Sequence, residues 1–227
     1  MPAPPSSPVC AALALVGAAR QCTRMSADSS LDARAALAAS VRRLIHATVT
    51  VADDAALLND AAARIDALAA TLAAAAPDPP LSRYPGGGES PSDWMPFDAV
   101  MGRWNPLAAP LTIGAENGRA VGTVSFDTPY EGPPGCVHGA VIAASFDQVL
   151  NVANLMEGAA GPTARLELTF RAPTPLRRPL RFEGWVERRE ARKVHSRGRL
   201  LADGVVTVEA AGLFIQVDPE RVMKLLG

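Results

Sequence analysis

From Leu111 onward the chain alternates apolar and polar positions with the two-residue period of β-strands. Val121, Thr123 and Ser125 fall on one side of the run Arg119 to Phe126, and Gly122, Val124 and Phe126 on the other. Glu116-Asn117-Gly118 supplies a hairpin turn before it. Four further strands are predicted at Ala164–Arg171, Leu180–Arg189, Lys193–Leu201 and Val205–Val217, with Asp203-Gly204 as a tight turn between the last two. Leu166, Leu168 and Phe170 alternate with Arg165, Glu167 and Thr169, the pattern of a half-buried antiparallel strand. One stretch breaks the period. Between Val141 and Met156 the polar residues are Ser145, Asp147, Gln148, Asn151 and Asn154, and Asp147 alone is charged. A helix apolar on most sides is a buried one. The spacing therefore predicts a central helix over about 139–156, with small Ala143, Ala144 and Ala153 allowing a sheet to approach closely. One buried helix among antiparallel strands is an α+β domain, here spanning 111–220.

The first half of the chain follows the helical period instead. Residues 29–76 form an alanine- and leucine-rich helical segment free of Gly and Pro. Two helices are expected, about 31–47 and 54–75. Ser29 or Ser30 would cap the first, Thr48-Val49-Thr50-Val51 would interrupt it, and Asp53 or Asp54 would start the second. Leu57, Leu58, Ala61, Ile65, Leu68 and Leu72 give the second helix an apolar face, expected to pack on the domain or on a partner subunit. Residues 77–110, with Pro85-Gly86-Gly87-Gly88, read as a flexible Pro/Gly-rich loop. They lack the strand and helix that a phosphate-binding glycine loop needs. Residues 1–28 read as a disordered Pro/Ser/Ala-rich leader. Val9 to Ala19 is apolar, but no Lys or Arg precedes it and no clear cleavage site follows. Met25 opens a polar run that would make a natural N-terminus.

Composition narrows the functional classes. The 227 residues are 48% apolar and 20% charged, with a net charge of −1. No basic excess points to nucleic acid, and no apolar run is long enough to span a membrane. Cys10, Cys22 and Cys136 form neither a metal cluster nor a disulfide framework, so no metal is expected and the cytoplasm is the default compartment.

The candidate chemistry lies in Gly135-Cys136-Val137-His138-Gly139 and the helix that follows, as far as Asp147. The first amides of a helix have no partner within it and carry partial positive charge. Gly139 has no side chain, so an acyl group can approach its amide, which can stabilise an oxyanion. Asp147 is an isolated carboxylate on an apolar helix. It either accepts a local hydrogen bond or acts as general base or nucleophile. Gly139 and Asp147 stand eight residues apart, about 12 Å along one helix. One carbonyl cannot reach both, so the two would meet only across a two-fold axis, Gly139 of one chain with Asp147 of another. His138 is expected to orient the loop rather than to transfer protons.

The string from Gly135 to Gly139, then Asp147, then Pro162-Thr163-Ala164-Arg165-Leu166-Glu167-Leu168-Thr169-Phe170-Arg171-Ala172-Pro173 resembles the PaaI/THEM4-type hotdog thioesterases. Their pattern is G-x-V-H-G-G, an aspartate eight residues after the first paired glycine, then T-A-x-L-x-x-x-[FY]-x-x-P. Ala211 to Ile215 resembles their closing strand, and the likeness covers about 111 to 218. It implies a hotdog fold, an antiparallel sheet wrapped around the central helix. It also implies an acyl-CoA thioesterase without a cofactor, built as a homodimer with shared sites and often paired into a tetramer. Asp147 would activate water or attack the thioester, Gly139 would form the oxyanion hole, His138 would shape the loop, and Thr163 would assist the aspartate. Ala140 stands where the family has its second glycine, and its methyl can narrow the acyl or pantetheine channel. Arg188, Arg189, Arg192 and Lys193 flank a turn and are candidates for the phosphates of coenzyme A. The competing readings are a hotdog hydratase or dehydratase acting on the β-carbon, and a non-catalytic acyl-CoA sensor. The sensor would need an output element, and the nearly balanced charge of the N-terminal helices argues against a DNA-binding one.

Overall fold

The computed structural model describes residues 24–78 and 91–217. The leader before residue 24, Pro85 to Gly88 and the residues beyond 217 lie outside the described residues. Two long helices come first, α1 (Arg24–Thr50) and α2 (Ala55–Ala74), then a helical turn α3 (Pro91–Trp94). The domain proper consists of β1 (Thr112–Glu116), β2 (Arg119–Val124), α4 (Gly139–Met156), β3 (Thr163–Phe170), β4 (Leu180–Glu190), β5 (Lys193–Ala202) and β6 (Val205–Ile215). The six strands form one antiparallel sheet in the order β1-β2-β4-β5-β6-β3. The α+β architecture expected from the pattern is present, in the hotdog arrangement that the resemblance implies, and α4 has the predicted bounds.

The tight turns follow their sequence signals. Asn117 and Gly118 both have positive φ (49° and 74°), as do Asp203 and Gly204 (49° and 81°). Two left-handed residues in a two-residue loop match the right-handed twist of the strands they join. Along β5 the inward positions Val194, Ser196, Gly198, Leu200 and Ala202 alternate with outward ones.

The expected close approach of helix and sheet is achieved from the opposite side. Among the small helix residues Ala153 is buried, but Ala143 and Ala144 are half-exposed. The room comes from Gly184, Gly198 and Gly212 on three interior strands, β4, β5 and β6. A Cβ there would meet Val149 Cγ1 at 3.0 Å, Phe146 Cε1 at 2.9 Å and Leu150 Cδ1 at 3.0 Å respectively. The helix sinks Phe146, Val149 and Leu150 into this glycine trough until all are fully buried. Each such side chain contributes about 1.5–3 kcal/mol.

Three expectations change in the N-terminal half. Helix α1 runs through both proposed boundaries, beginning at Arg24 rather than after residue 28 and continuing to Thr50. The β-branched residues fit because Thr48 Oγ1 donates to Ile45 O (2.8 Å) and Thr50 Oγ1 to His46 O (2.9 Å). Asp54 does cap α2, accepting from the amides of Ala56 and Leu57. However, α2 does not pack on the domain: none of its residues is buried, and Leu57 and Leu68 are 51% and 53% exposed. Finally, residues 91–110 are folded rather than a loose linker. Asp98 Oδ1 accepts from the amides of Val100 and Met101, Phe97 and Trp104 meet edge to face, and Met101 and Ala108 enter the core. Their order comes from side-chain caps, which leave no period for a sequence reading to detect.

Candidate functional site

The loop before α4 is pinned on both sides. The His138 amide donates to Tyr130 O (2.8 Å), Val137 N to Thr174 O (2.9 Å), and Gly135 N to the Glu131 carboxylate (2.6 Å). Gly132 lies directly beneath His138, where a Cβ would come within 2.8 Å of the His138 Cα. This packing was invisible in the sequence except as the turn-forming run Gly132-Pro133-Pro134-Gly135.

His138 is the N-cap of α4. Its Nδ1 accepts from the Ala140 amide at 3.0 Å, which fixes the neutral ring's proton on Nε2. Its backbone carbonyl takes the amides of Val141 and Ile142. Of the first four amides of the helix, Gly139's alone has no acceptor among the described residues. The cap thus leaves one N–H unclaimed at the glycine that can be approached. Phe170, from the end of β3, lies over this glycine: its Cζ would stand 3.3 Å from a Cβ at Gly139. Sequence reading placed Phe170 only as a half-buried strand position, yet it is 54% exposed. It belongs to an edge strand, and nothing among the described residues covers it.

Two turns further along α4, the half-exposed Asp147 receives a hydrogen bond from Thr163 Oγ1 on Oδ1, at 2.5 Å. Thr163 opens β3, so one strand touches both ends of the motif, Asp147 through its first residue and Gly139 through its last. Asp147 and Thr163 are brought together, as are His138 and Gly139; the two pairs remain apart on one helix. Ala140 is exposed beside Gly139.

The four basic candidates sit at the β4–β5 turn. Thr163 and Val194 both pair with Phe214, so the turn lies at the same end of the sheet as Asp147 and Thr163. Most of this charge is engaged within the chain. Arg188 pairs with Glu190, Arg189 donates to Glu157 O and Gln216 Oε1, and Arg192 donates to Gln216 O. Arg189 thereby caps the C-terminal end of α4. The Lys193 ammonium has no partner among the described residues. The other arginines pair in the same manner, Arg178 with Asp203, Arg197 with Glu187, and Arg119, Arg181 and Arg199 together on Glu183. Burial opposes ionisation of Glu183, but the hydrogen bonds from Arg181 and Arg199 outweigh it and hold its carboxyl below the usual range.

His46 on α1 meets the Asp127 carboxylate at 3.1 Å, a setting its sequence context did not reveal. The hydrogen bond from Arg177, reinforced by the Thr128 amide, lowers the Asp127 pKa to about 2. No group of His, Cys, Asp and Glu among the described residues has the geometry to hold a metal ion, and none of their helices is long and apolar enough to cross a membrane.

A buried helix wrapped by an antiparallel sheet, with an unclaimed amide at its start and a carboxylate two turns on, defines a hotdog-type domain. The thioesterase superfamily model matches residues 134–209, from the pinned loop into β6. A solved structure described as a thioesterase superfamily protein is 33% identical and covers 81% of this chain and 90% of its own, with a TM-score of 0.71. The chain belongs to the thioesterase superfamily. It is also 33% identical over 93 residues to the acyl-coenzyme A thioesterase THEM4 of Mus musculus, which covers 40% of each protein. The Bos taurus protein of that name matches at 33% over 96 residues, 41% of this chain and 39% of its own. The match thus spans well under half the length of these curated relatives.

Proposed function

We propose that the protein hydrolyses an acyl-CoA thioester to the free acid and coenzyme A, in sites shared between two copies of the chain. The observation that carries this reading is the arrangement on α4, an unclaimed Gly139 amide and, eight residues later, a carboxylate held by Thr163. The Gly139 amide receives the developing oxyanion, and Asp147 either activates water or attacks the acyl carbon. Thr163 holds one carboxylate oxygen and leaves the other for chemistry. His138 positions the loop through its cap.

Two features support a homodimer. The amide and the carboxylate lie about 12 Å apart on one straight helix, beyond the reach of one carbonyl. The β3 edge also exposes Phe170 directly beside Gly139. Pairing of two such dimers would give a tetramer. In a dimer, Lys193, with Arg192, Arg189 and Arg188 behind it, can meet the phosphates of coenzyme A. The methyl of Ala140 narrows the approach to the oxyanion amide. The reaction calls for no cofactor, and the sparse cysteines favour the cytoplasm.

The test is release of coenzyme A thiol from acyl-CoAs of graded length by the wild-type protein and Asp147→Asn. Loss of turnover with retained binding supports the reading. Equal activity in both proteins removes Asp147 from the mechanism. Tight binding without hydrolysis of any acyl-CoA would favour the binding-module alternative.

A further inference from the structure

The open face of α4 carries a second polar group that the reading above does not use. Asn151 follows Asp147 by one helical turn, which places the two side chains on one face, with Cβ atoms about 6 Å apart. Asn151 is half-buried. Its Oδ1 is shielded from solvent yet has no hydrogen-bond partner among the described residues. A buried unpaired carbonyl oxygen costs about 1–3 kcal/mol unless something donates to it. Gln148 Oε1 and Asn154 Nδ2 of the same helix are also shielded without a partner among the described residues, but Gln148 donates to Asp98 Oδ2 (3.2 Å) and buried Asn154 accepts from Ser196 Oγ (2.5 Å), so both side chains are tied into the chain's own packing. One turn before Asp147 the same face carries only the methyl of Ala144, which leaves room beside the carboxylate.

We infer that Asn151 holds the nucleophilic water for Asp147. This rests on the thioesterase reading and decides between its two chemistries in favour of the general base. Thr163 occupies Oδ1 of Asp147, so Oδ2 is the oxygen left to accept one proton of a water, and Asn151 Oδ1 accepts the other. With both protons directed at protein acceptors, a lone pair of the water oxygen points away from α4, toward a carbonyl held on the partner's Gly139 amide. The water oxygen bonds to the acyl carbon as its proton passes to Asp147. The C–S bond then breaks, coenzyme A leaves as thiolate, and the proton on Asp147 is released to solvent. Water supplies the only oxygen added, and no oxidant or second reactant is needed.

The test compares wild type with Asn151→Leu, which keeps the size but cannot accept, and Asn151→Asp, which restores an acceptor oxygen. The expected result for Asn151→Leu is a fall in kcat of about a hundredfold. KM, the affinity for a non-hydrolysable thioether analogue of acyl-CoA, and the oligomeric state should stay within about twofold of wild type. Asn151→Asp should recover part of kcat, with the acid limb of its pH–rate profile moved to higher pH by the paired carboxylates. In a single turnover in 18O-water, the label should enter the released acid and not the protein. Wild-type kcat in Asn151→Leu, or a loss of kcat matched by lost dimer or lost analogue binding, would overturn the assignment; so would label incorporated into Asp147. Wild-type turnover separates this from failure of the thioesterase reading, because that failure leaves wild type itself without coenzyme A release, whereas the outcomes above all require it.

Discussion

The hydroxyl of Thr163 donates to Oδ1 of Asp147 across 2.5 Å, joining the first residue of β3 to the middle of α4. A carboxylate with one oxygen held has a fixed plane, and its free oxygen has a fixed direction. This makes Thr163 the first residue to test. Hydrogen bonds to charged groups are worth about 1.5–3 kcal/mol, and an exposed pair sits at the low end. Thr163→Val, which keeps the shape and removes the donor, should therefore lower kcat/KM about tenfold. Thr163→Ser should stay within about threefold of wild type. Both are read by coenzyme A thiol release, with circular dichroism as a control for folding.

At the other end of the motif the limit is space. A Cβ on residue 139 would stand 3.3 Å from Phe170 Cζ, tighter than an ordinary contact. Gly139→Ala keeps the amide but forces the ring outward, and activity should fall about tenfold if the ring shapes the approach. Phe170→Ala in the same chain removes the collision. The double variant should be more active than Gly139→Ala alone, a coupling that a double-mutant cycle measures directly. Strictly additive losses would mean that the ring and the amide act independently.

The proposed sharing of sites between two copies makes a prediction about mixtures. An Asp147→Asn chain and a Gly139→Val chain are each expected to be inactive as homodimers. In a mixed dimer, one site combines the intact Gly139 of the first chain with the intact Asp147 of the second, and the other site combines both lesions. Each mixed dimer should show about half of wild-type turnover. Co-expressed, separately tagged chains purified through both tags provide the sample. No recovery in verified mixed dimers would place the whole site in one chain.

The parts that could be read from the sequence were those with a period or a turn signature. The bounds of α4, the Asn117-Gly118 and Asp203-Gly204 turns and the strand succession all depend on local residue choice, and they appear as read. The motif from Gly135 to Asp147 was legible because its residues are contiguous. What could not be read depends on contacts between distant positions. The glycine trough beneath α4 comes from three separate strands, and the seat of His138 on Gly132 from loop packing. The meeting of His46 with Asp127 spans 81 residues, beyond any local signal. The 91–110 segment failed for a different reason. It is ordered by caps at single positions such as Asp98, and single positions carry no periodicity.

That long-range contact supplies the last prediction, at the acid end of the stability curve. Asp127 accepts from Arg177, from the Thr128 amide and hydroxyl, and meets His46 of α1, so it ties the long helix to the segment between β2 and α4. Its pKa falls from 3.8 to about 2, chiefly through the Arg177 hydrogen bond. A carboxyl whose pKa is lower in the folded state stabilises that state above its unfolded pKa. The contribution is lost as pH falls from that value through the folded one. Asp127→Asn should therefore lower the unfolding temperature at about pH 6, and the gap from wild type should narrow below about pH 4 and nearly close near pH 2. Arg177 stays charged throughout, so the narrowing does not come from loss of its charge. Thermal unfolding of both proteins across this range is the measurement. A gap that stays constant down to pH 2 would mean that the variant acts through packing and not through the charge of Asp127.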